Sequence, residues 1–310
     1  MVVKKRGKGK SGLMAFLAAL LLTAGVLCAQ RMPVHRLAAA QPGTSAEAIT
    51  SGVSLYSPNA ILMRLNGSSV PVEENADQRI YPASLTKIMT VLVAIEQSDN
   101  LKKQVVMQKD WYDELVAADA SMAGFLPGEQ IAVKDLLYGA ILCSGAECCV
   151  ALATDVAESQ TAFVALMNQK ARQLGMNNTH FTNVTGLHQD DHYSTVRDLA
   201  LMLQNALKNK TFRQIFTSKR YSISSTNRHL QGMTITSSLF SKLSSSSVQG
   251  GQILGGKTGY TQQAGLCLAT LAVQNGSESI LITAGAPGDH KTEQFHIMDA
   301  LNIYNAYPIL

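Results

Sequence analysis

Apolar residues recur along this chain in two patterns, one typical of helices and one typical of strands. Helical spacing predicts six helices, at residues 84–97, 133–145, 146–157, 160–176, 195–209 and 292–307. Shorter apolar runs predict strands at residues 60–65, 252–261, 265–273 and 279–286. The first strand is followed by a turn at 66–69 and a return segment at 70–77. Between the last two strands, Asn275 and Gly276 give a strong hairpin signal.

The order of these elements predicts the fold class. Strands come first, a helical block follows, and a strand meander with one more helix comes last. A serine-rich stretch at 238–251 is typical of a flexible loop between the helical block and the meander. Because strands lie at both ends of this order, we expect an α+β domain whose first and last segments share one antiparallel sheet.

The first 30 residues have the pattern of an export signal. Five of the first ten residues are basic, and a mostly apolar run covers residues 13–29. A run of that length suits either a cleaved signal peptide or a retained membrane anchor, with its basic end in the cytoplasm. We therefore expect an exported protein with a leader at 1–30, a linker at 31–48 and one domain at 49–310. It would act at the outer face of the membrane or as a secreted protein.

Composition fits a folded domain and argues against a nucleic-acid partner. Of the 310 residues, 46% are hydrophobic and 15% are charged. This share of hydrophobic residues is enough to form a sizeable core. The net charge of +4 comes from the N-terminal segment, because residues 1–45 hold seven Lys or Arg and no acid. From residue 46 onward, 19 basic residues face 22 acidic ones. The domain therefore lacks the positive charge that binding to nucleic acid requires.

Neither the cysteines nor the histidines have the spacing of a metal site. In the exported part, the cysteines lie in apolar runs, where we expect small buried side chains; they are Cys143, Cys148, Cys149 and Cys267. His180, His188 and His192 lie close together in sequence beside two aspartates, and we favour a structural role for them over a metal site. We expect neither a metal nor an organic cofactor.

Ser84 and Lys87 are the first candidate catalytic pair. They lie three residues apart in YPASLTKIMT, so a helix would bring both side chains to one face. A serine hydroxyl is a weak nucleophile that needs a base, and a lysine can be that base when burial lowers its pKa. The apolar neighbours of Lys87 favour such burial. A surface lysine one turn after a serine gives the same pattern, so this pair alone does not show that Ser84 and Lys87 are catalytic.

Two further stretches follow in the same order, SGAE at 144–147 and KTG at 257–259. Ser144 lies between two predicted helices, where a hydroxyl can pass a proton to a departing amine. Lys257 follows two glycines at the start of a strand, so its cation can meet a carboxylate while the backbone approaches a substrate closely. The edge of that strand can bind an extended peptide. Together, the three stretches predict a serine-based site for peptide chemistry.

S-x-x-K, S-x-N and K-T-G in this order are the signature of the penicillin-recognising active-site serine enzymes. From about residue 49 to about 305, the chain resembles the D-alanyl-D-alanine carboxypeptidases, which are low-molecular-mass penicillin-binding proteins of the serine peptidase S11 type. The segment at 166–200 is the most specific part, because class A β-lactamases lack it. The resemblance implies a β-lactamase/transpeptidase-like fold: an antiparallel sheet flanked by terminal helices, a mostly helical subdomain, and the active site between them.

The resemblance also implies a role for each catalytic residue. Ser84 would be the nucleophile that becomes acylated, and Lys87 would be its general base. Ser144 would help to pass the proton to the departing D-alanine. Lys257 would provide the electrostatic field of the site. The implied reaction is cleavage of a D-Ala–D-Ala bond through an acyl-enzyme, which needs no metal and no organic cofactor.

Substrate binding is implied for Thr258, Gly259 and Tyr260. Thr258 would bind the terminal carboxylate, and the backbone N–H groups of Tyr260 and Ser84 would form the oxyanion hole. The implied partners are the stem pentapeptides of peptidoglycan, β-lactam antibiotics as acylating inhibitors, and the membrane if the N-terminal segment is not cleaved. Many relatives add a β-rich C-terminal domain and a terminal amphipathic helix that binds the membrane surface. We expect neither in this chain, so any membrane attachment should come from residues 13–29.

One position departs from the family pattern, because Ala146 stands where the second motif has asparagine. A methyl group cannot hydrogen-bond the substrate or a lysine, so we expect lower or altered activity. Two alternatives remain open. The chain could be a non-catalytic domain that binds wall peptide, or a serine β-lactamase. The latter needs a glutamate with asparagine four residues later, which neither Glu147 nor Glu158 has.

Overall fold

The computed structural model of the chain describes residues 48–50, 52–67 and 69–309. The predicted leader and nearly all of the predicted linker lie outside these residues. Within the described part of the chain, no single helix is long and apolar enough to cross a membrane. Two consecutive helices reach the required length and hydropathy only when they are counted as one segment, and the bend between them is 87°; they are Ala146–Ala157 and Gln160–Gln173.

Most of the strands belong to one antiparallel sheet. The strands are β1 Ala48–Thr50, β2 Val53–Leu55, β3 Asn59–Arg64, β4 Val72–Glu74, β5 Gln104–Val106, β6 Gln130–Ala132, β7 Arg220–Ile223, β8 Met233–Thr236, β9 Ser247–Val248, β10 Gly251–Thr261, β11 Gly265–Gln274 and β12 Ser277–Ala286. Six of them form the sheet in the order β4-β3-β12-β11-β10-β9. The others form the two-stranded pairs β1–β2, β5–β6 and β7–β8. The predicted sheet that joins the first and last segments is confirmed, since β3 pairs with β12.

The predicted hairpin between β11 and β12 is also present. Asn275 has a φ of 47° and Gly276 a φ of 79°. Two consecutive positive φ values are what a tight hairpin turn requires, and asparagine and glycine adopt them at low cost. The turn sets the pairing of Gln274 with Ser277. The register of β11 and β12 next to the turn therefore follows from a local sequence signal.

All six predicted helices are present, together with two that the pattern did not predict. The helices are α1 Thr86–Gln97, α2 Asp110–Ala117, α3 Val133–Leu142, α4 Ala146–Ala157, α5 Gln160–Gln173, α6 Val196–Ala206, α7 Lys210–Phe216 and α8 Phe295–Ala306. The short helices α2 and α7 were missed. Helix α3 ends three residues earlier than predicted, and Ser144 beyond it has a φ of 61°, which no right-handed helix contains.

Apolar side chains of the central strands pack on both faces of the sheet. One face packs against the helical block through residues that include Ala269, Leu271, Ile280 and Ile282. The other face packs against α8 through Leu268, Ala272 and Leu281. Because successive side chains of a strand point to opposite faces, burial of both faces explains why β11 and β12 are continuous apolar runs.

Helix α1 is the centre of the helical block, and its start positions the site. Nine of its twelve residues are buried, and it packs against α3, α4, α5, α6 and α7. A 3₁₀ turn, Ala83–Leu85, leads into α1 and packs against β10. The first turn of a buried helix is therefore held at the boundary between the helical block and the sheet. This arrangement confirms the predicted α+β fold with a cleft between its two layers.

Candidate active site

Ser84 lies in the 3₁₀ turn before α1, where the backbone conformation is unusual. Ala83 has a φ of 47°, a left-handed conformation that costs free energy for a residue with a side chain. The turn is closed by Leu85 N–H, which donates to the carbonyl of Pro82 at 3.0 Å. Ser84 is only half-buried and lines the cleft. A strained turn thus presents the Ser84 hydroxyl at the surface of an otherwise buried element.

Lys87 lies one turn later and meets Ser84, as the spacing predicts. Its Nζ is 3.0 Å from Ser84 Oγ and donates to the carbonyl oxygen of Thr185 at 2.6 Å. The side chain is 3% exposed, and burial lowers the pKa of Lys87 below the ordinary lysine value. Burial in apolar surroundings disfavours the charged amine, so the neutral form that can accept a proton becomes accessible.

The segment that carries Thr185 is bound to α1 by further hydrogen bonds. Thr90 Oγ1 donates to the carbonyl of Val184 at 2.7 Å. Thr182 N–H donates to His192 Nδ1 at 3.1 Å, so the proton of the neutral ring is on Nε2, which lies 2.8 Å from Thr86 Oγ1. Burial lowers the pKa of His192 to about 4, which keeps the ring neutral. His192 is therefore a structural residue of the segment that faces the catalytic pair.

Gly186 allows this segment to approach the Ser84 turn very closely. It has a φ of 82°, and a Cβ atom added there would lie 1.8 Å from the carbonyl oxygen of Ala83. No side chain fits at that distance. The close approach keeps the segment in contact with the turn that carries Ser84, and so keeps the Thr185 carbonyl within reach of Lys87.

Ser144 and Lys257 form the second pair, joined across the cleft from the helical block to the sheet. Lys257 Nζ donates to Ser144 Oγ at 2.9 Å and to the carbonyl of Thr258 at 2.6 Å. Lys257 is fully buried. Burial first, and the positive charge of Lys87 second, hold the pKa of Lys257 well below its ordinary value. Because burial disfavours the charged form of both amines, the site readily provides an unprotonated amine.

Ala146, the departure from the family motif, is buried beside the loop that carries Ser121, a residue that lines the cleft. Its N–H donates to the carbonyl of Ser121 at 2.8 Å. Glu147 does not take the place of the missing asparagine, because its Oε1 accepts the N–H groups of Ala123 at 2.7 Å and Gly124 at 3.0 Å. Burial raises the pKa of Glu147. The carboxyl group thus holds the loop of Ser121, and it is not among the residues that line the cleft.

Strand β10 forms the opposite wall of the cleft. Its neighbour β9 pairs only with Gly251 and Gln252, so β9 leaves the later part of that edge uncovered. A Cβ atom at Gly259 would lie 3.1 Å from Ser84 N, so glycine allows this strand to approach the Ser84 turn closely. Thr258 Oγ1 is 2.7 Å from Ser238 Oγ. The predicted binding residues Thr258, Gly259 and Tyr260 therefore lie along the wall that faces Ser84.

Two adjoining cavities, of about 260 and 440 Å³, make up the cleft. Ser84, Ser121, Tyr260 and His290 line both of them. The smaller cavity contains Ser144 and Thr258, and the larger contains Lys87 and Thr185. Six of the seven predicted site residues therefore line one cleft, and the seventh, Lys257, lies directly behind it, bonded to Ser144. Sequence reasoning missed several lining residues: Ser121, Ser238, Lys242 and His290 come from distant loops, and His296 comes from the first turn of α8.

Of the remaining histidines and cysteines, His188 lines the larger cavity and Cys143 the smaller one. The ring of His188 packs edge-on against Tyr81, and His180 Nδ1 donates to the carbonyl of Asp191 at 2.7 Å. All four cysteines of the described residues are free, three of them buried, and Cys143 is half-buried. Within the residues that the structure describes, no three His, Cys, Asp or Glu side chains are grouped so as to hold a metal ion.

Comparison with known proteins identifies the family. The family model of the D-alanyl-D-alanine carboxypeptidases, Peptidase S11, matches residues 44–288. The chain belongs to this family. The match covers the chain from before the Ser84 turn to beyond the end of β12 and contains all seven predicted site residues.

Individual relatives agree with this assignment. The chain is 30% identical to D-alanyl-D-alanine carboxypeptidase DacF of Bacillus subtilis over 84% of its own length and 66% of the relative's. It is 36% identical to DacC of Escherichia coli over 74% of its own length and 56% of that protein's. The crystal structure of the Streptomyces K15 DD-transpeptidase has a TM-score of 0.73 and 31% identity, covering 83% of this chain and 98% of that one. The chain thus spans two thirds or less of the two carboxypeptidases but nearly all of the K15 enzyme.

Proposed function

We propose that this chain is a serine D,D-carboxypeptidase that removes the terminal D-alanine from peptidoglycan stem pentapeptides. The observation that carries the proposal is the 3.0 Å approach of buried Lys87 Nζ to Ser84 Oγ in a cleft that also holds the Lys257–Ser144 pair. Family membership supports the substrate class. β-Lactam antibiotics would acylate the same serine.

The first half-reaction forms an acyl-enzyme. Neutral Lys87 takes the proton of Ser84 while Oγ attacks the carbonyl carbon of the penultimate D-alanine. The N–H groups of Ser84 and Tyr260 stabilise the negative charge that develops on the carbonyl oxygen; loss of one such donor typically lowers a rate by about 10²–10³. The C–N bond then breaks, and the departing amine receives through Ser144 the proton that Lys87 took from Ser84, which leaves Lys87 neutral again.

The second half-reaction releases the shortened peptide. A water molecule gives a proton to Lys87 and attacks the ester carbonyl, the bond to Ser84 Oγ breaks, and the proton returns to that oxygen. Lys257 stabilises negative charge in both halves when it is protonated, and otherwise orients Ser144 through its 2.9 Å hydrogen bond.

Cell-wall peptides lie outside the cytoplasm, so the proposed function requires export. Residues 1–30 would provide the signal peptide or membrane anchor and residues 31–48 the linker, with the enzyme formed by residues 49–310. The protein would then act at the outer face of the membrane or in the wall. A retained N-terminal segment would be its membrane contact.

The proposal is tested by treating the full chain with labelled penicillin. We expect a stable adduct on Ser84 that is absent from Ser84→Ala, together with release of D-alanine from an acylated D-Ala–D-Ala peptide. Rapid turnover of the drug would instead support a β-lactamase. Absence of both an adduct and D-alanine release would support a non-catalytic wall-binding domain, the alternative that Ala146 motivates.

A further inference from the structure

The loop that joins α2 to β6, here the α2–β6 loop, is packed tightly against the SGAE motif. Ala146 N–H donates to the carbonyl of Ser121 at 2.8 Å, and Glu147 Oε1 accepts the N–H of Ala123 at 2.7 Å. A Cβ atom at Gly145 would lie 2.8 Å from Ala123 Cβ, so glycine permits this close packing. Ser121 is therefore held directly beside Ala146, the position where the family motif has asparagine.

The rest of the α2–β6 loop is fixed as well. Tyr112 Oη donates to the carbonyl of Phe125 at 2.9 Å, and Phe125 itself is buried. Leu126 N–H donates to Glu129 Oε2 at 2.8 Å. A loop anchored along its length holds its side chains in place before a ligand arrives, which lowers the entropic cost of binding. The Ser121 hydroxyl is thus positioned at the cleft by the protein itself.

The Ser121 hydroxyl is also available to a ligand. Ser121 is exposed and lines both cavities of the cleft, as do Ser84 and Tyr260. Its Oγ forms no hydrogen bond with any described residue, whereas the hydroxyls of Ser84, Ser144 and Ser238 are each bonded to a neighbouring side chain. The Ser121 hydroxyl can therefore donate to a bound molecule at no cost to the protein's own hydrogen bonds.

A peptide bound in the cleft has amide groups that need a partner on this side. An extended peptide at the edge of β10 points successive amide groups alternately toward the strand and away from it. Groups that point away meet the helical side of the cleft, where Ser121 and Ala146 line the larger cavity. The methyl group of Ala146 cannot bond them. An amide that loses its water without gaining a new partner weakens binding.

We propose that the Ser121 hydroxyl takes the place of the missing asparagine and donates a hydrogen bond to the substrate. Its acceptor is the carbonyl of the amide that joins the penultimate D-alanine to the preceding residue. The same hydroxyl bonds the acylamino side chain of a penicillin, which follows the reactive carbonyl in the same way. This inference rests on the proposed function, and it assigns a substrate-binding residue outside the three sequence motifs. Loss of the asparagine amide at Ala146 is thereby offset from a neighbouring segment of the chain.

The test compares acylation by benzylpenicillin with acylation by aminopenicillanic acid, which has the same rings and carboxylate but a free amine in place of the acylamino group. Ser121→Ala should lower the second-order rate constant for benzylpenicillin about 3- to 10-fold, as for one lost neutral hydrogen bond, and that for aminopenicillanic acid by less than about twofold. Ser244→Ala is the matched control, because Ser244 is exposed and lines neither cavity. Equal losses on both compounds, or no loss on either, would overturn the contact.

A second variant tests the replacement of asparagine directly. Ala146→Asn restores the amide and should make the Ser121 hydroxyl redundant, so adding Ser121→Ala should then lower acylation by benzylpenicillin by less than about twofold. The same loss with Ala146 and with Ala146→Asn would refute the proposal, because Ser121 would not be acting in place of asparagine. If Ala146→Asn does not fold, the comparison of the two β-lactams decides.

Failure of the proposed function would give a different result. If the unmodified chain is acylated by neither β-lactam and releases no D-alanine from an acylated D-Ala–D-Ala peptide, the proposed function is wrong. Calorimetry of that peptide with the Ser84→Ala protein then tests the contact by itself. Weaker binding after addition of Ser121→Ala would support the hydrogen bond, and equal binding would refute it.

Discussion

The carbonyl oxygen of Thr185 lies 2.6 Å from Lys87 Nζ, closer than the Ser84 hydroxyl at 3.0 Å. A carbonyl can only accept, so it takes one N–H of the amine. A neutral amine bonded in this way still has its lone pair, which can point at the Ser84 hydroxyl. The Thr185 carbonyl thus orients the base as well as holding it.

Removal of the amine should abolish acylation. In Lys87→Gln we expect the rate of penicillin labelling of Ser84 to fall by at least about 10²–10⁴-fold, because a glutamine amide has no basic nitrogen. The far-ultraviolet circular dichroism spectrum should be unchanged. Exposed Lys208, mutated to Gln, is the matched control. Labelling of the Lys87 variant at the unmodified rate would refute a general-base role.

The acylation rate should rise with pH. The pKa values of Lys87 and Lys257 are both lowered by burial, and only an unprotonated amine can act as the base. The rate should therefore fall with acidification and rise with pH, with a midpoint below the ordinary lysine pKa. Stopped labelling reactions at a series of pH values measure this curve. A midpoint at the ordinary lysine value would contradict the buried pair.

Gly186 should be far less tolerant of a side chain than a glycine of similar backbone conformation elsewhere. Gly186→Ala would place a Cβ atom 1.8 Å from the Ala83 carbonyl oxygen, whereas Gly175, at φ 75°, has open space around it. We expect Gly175→Ala to lower the free energy of unfolding by about 1 kcal/mol and Gly186→Ala by about 3 kcal/mol or more. Denaturant unfolding gives both values, and equal losses would argue against the close approach.

His192 should make the protein less stable in mild acid. Its pKa is about 4 in the folded protein, against about 6.5 for an ordinary histidine. Between these values the unfolded chain binds a proton that the folded protein does not, so the free energy of unfolding falls as the pH drops. The full effect is about 3 kcal/mol. His296, whose pKa is about 3, acts in the same direction.

The contribution of His192 can be isolated by comparing pH dependences. His192→Gln should be less stable at pH 8, because the bonds to Thr86 and Thr182 are weakened. It should also lose less stability than the unmodified chain between pH 8 and pH 4.5. Guanidinium unfolding at both pH values provides the comparison. Parallel losses in the two proteins would show that His192 does not titrate as described.

The parts of the site that sequence could predict are those fixed by local geometry. Helical spacing alone brings Lys87 to Ser84, and Asn275 with Gly276 determines the hairpin turn. The contact between Ser144 and Lys257 could not be derived in this way, since 113 residues separate them and no local rule joins them. Thr185, Lys242 and His296 could not be predicted, because only the packing of two distant loops and of α8 brings them to the cleft. The early end of α3 was missed because a left-handed serine gives no signal in the pattern of apolar residues.

The bond between Lys257 and Ser144 links a strand to the junction of two helices, so the reactive centre is complete only when both layers have assembled. Contacts between residues so far apart in sequence form late in folding, because a long loop must first be closed. Recovery of acylation during refolding would therefore follow the docking of sheet and helices, while recovery of helical circular dichroism would precede it. The time course of penicillin labelling during refolding would then report how fast the sheet and the helical block assemble.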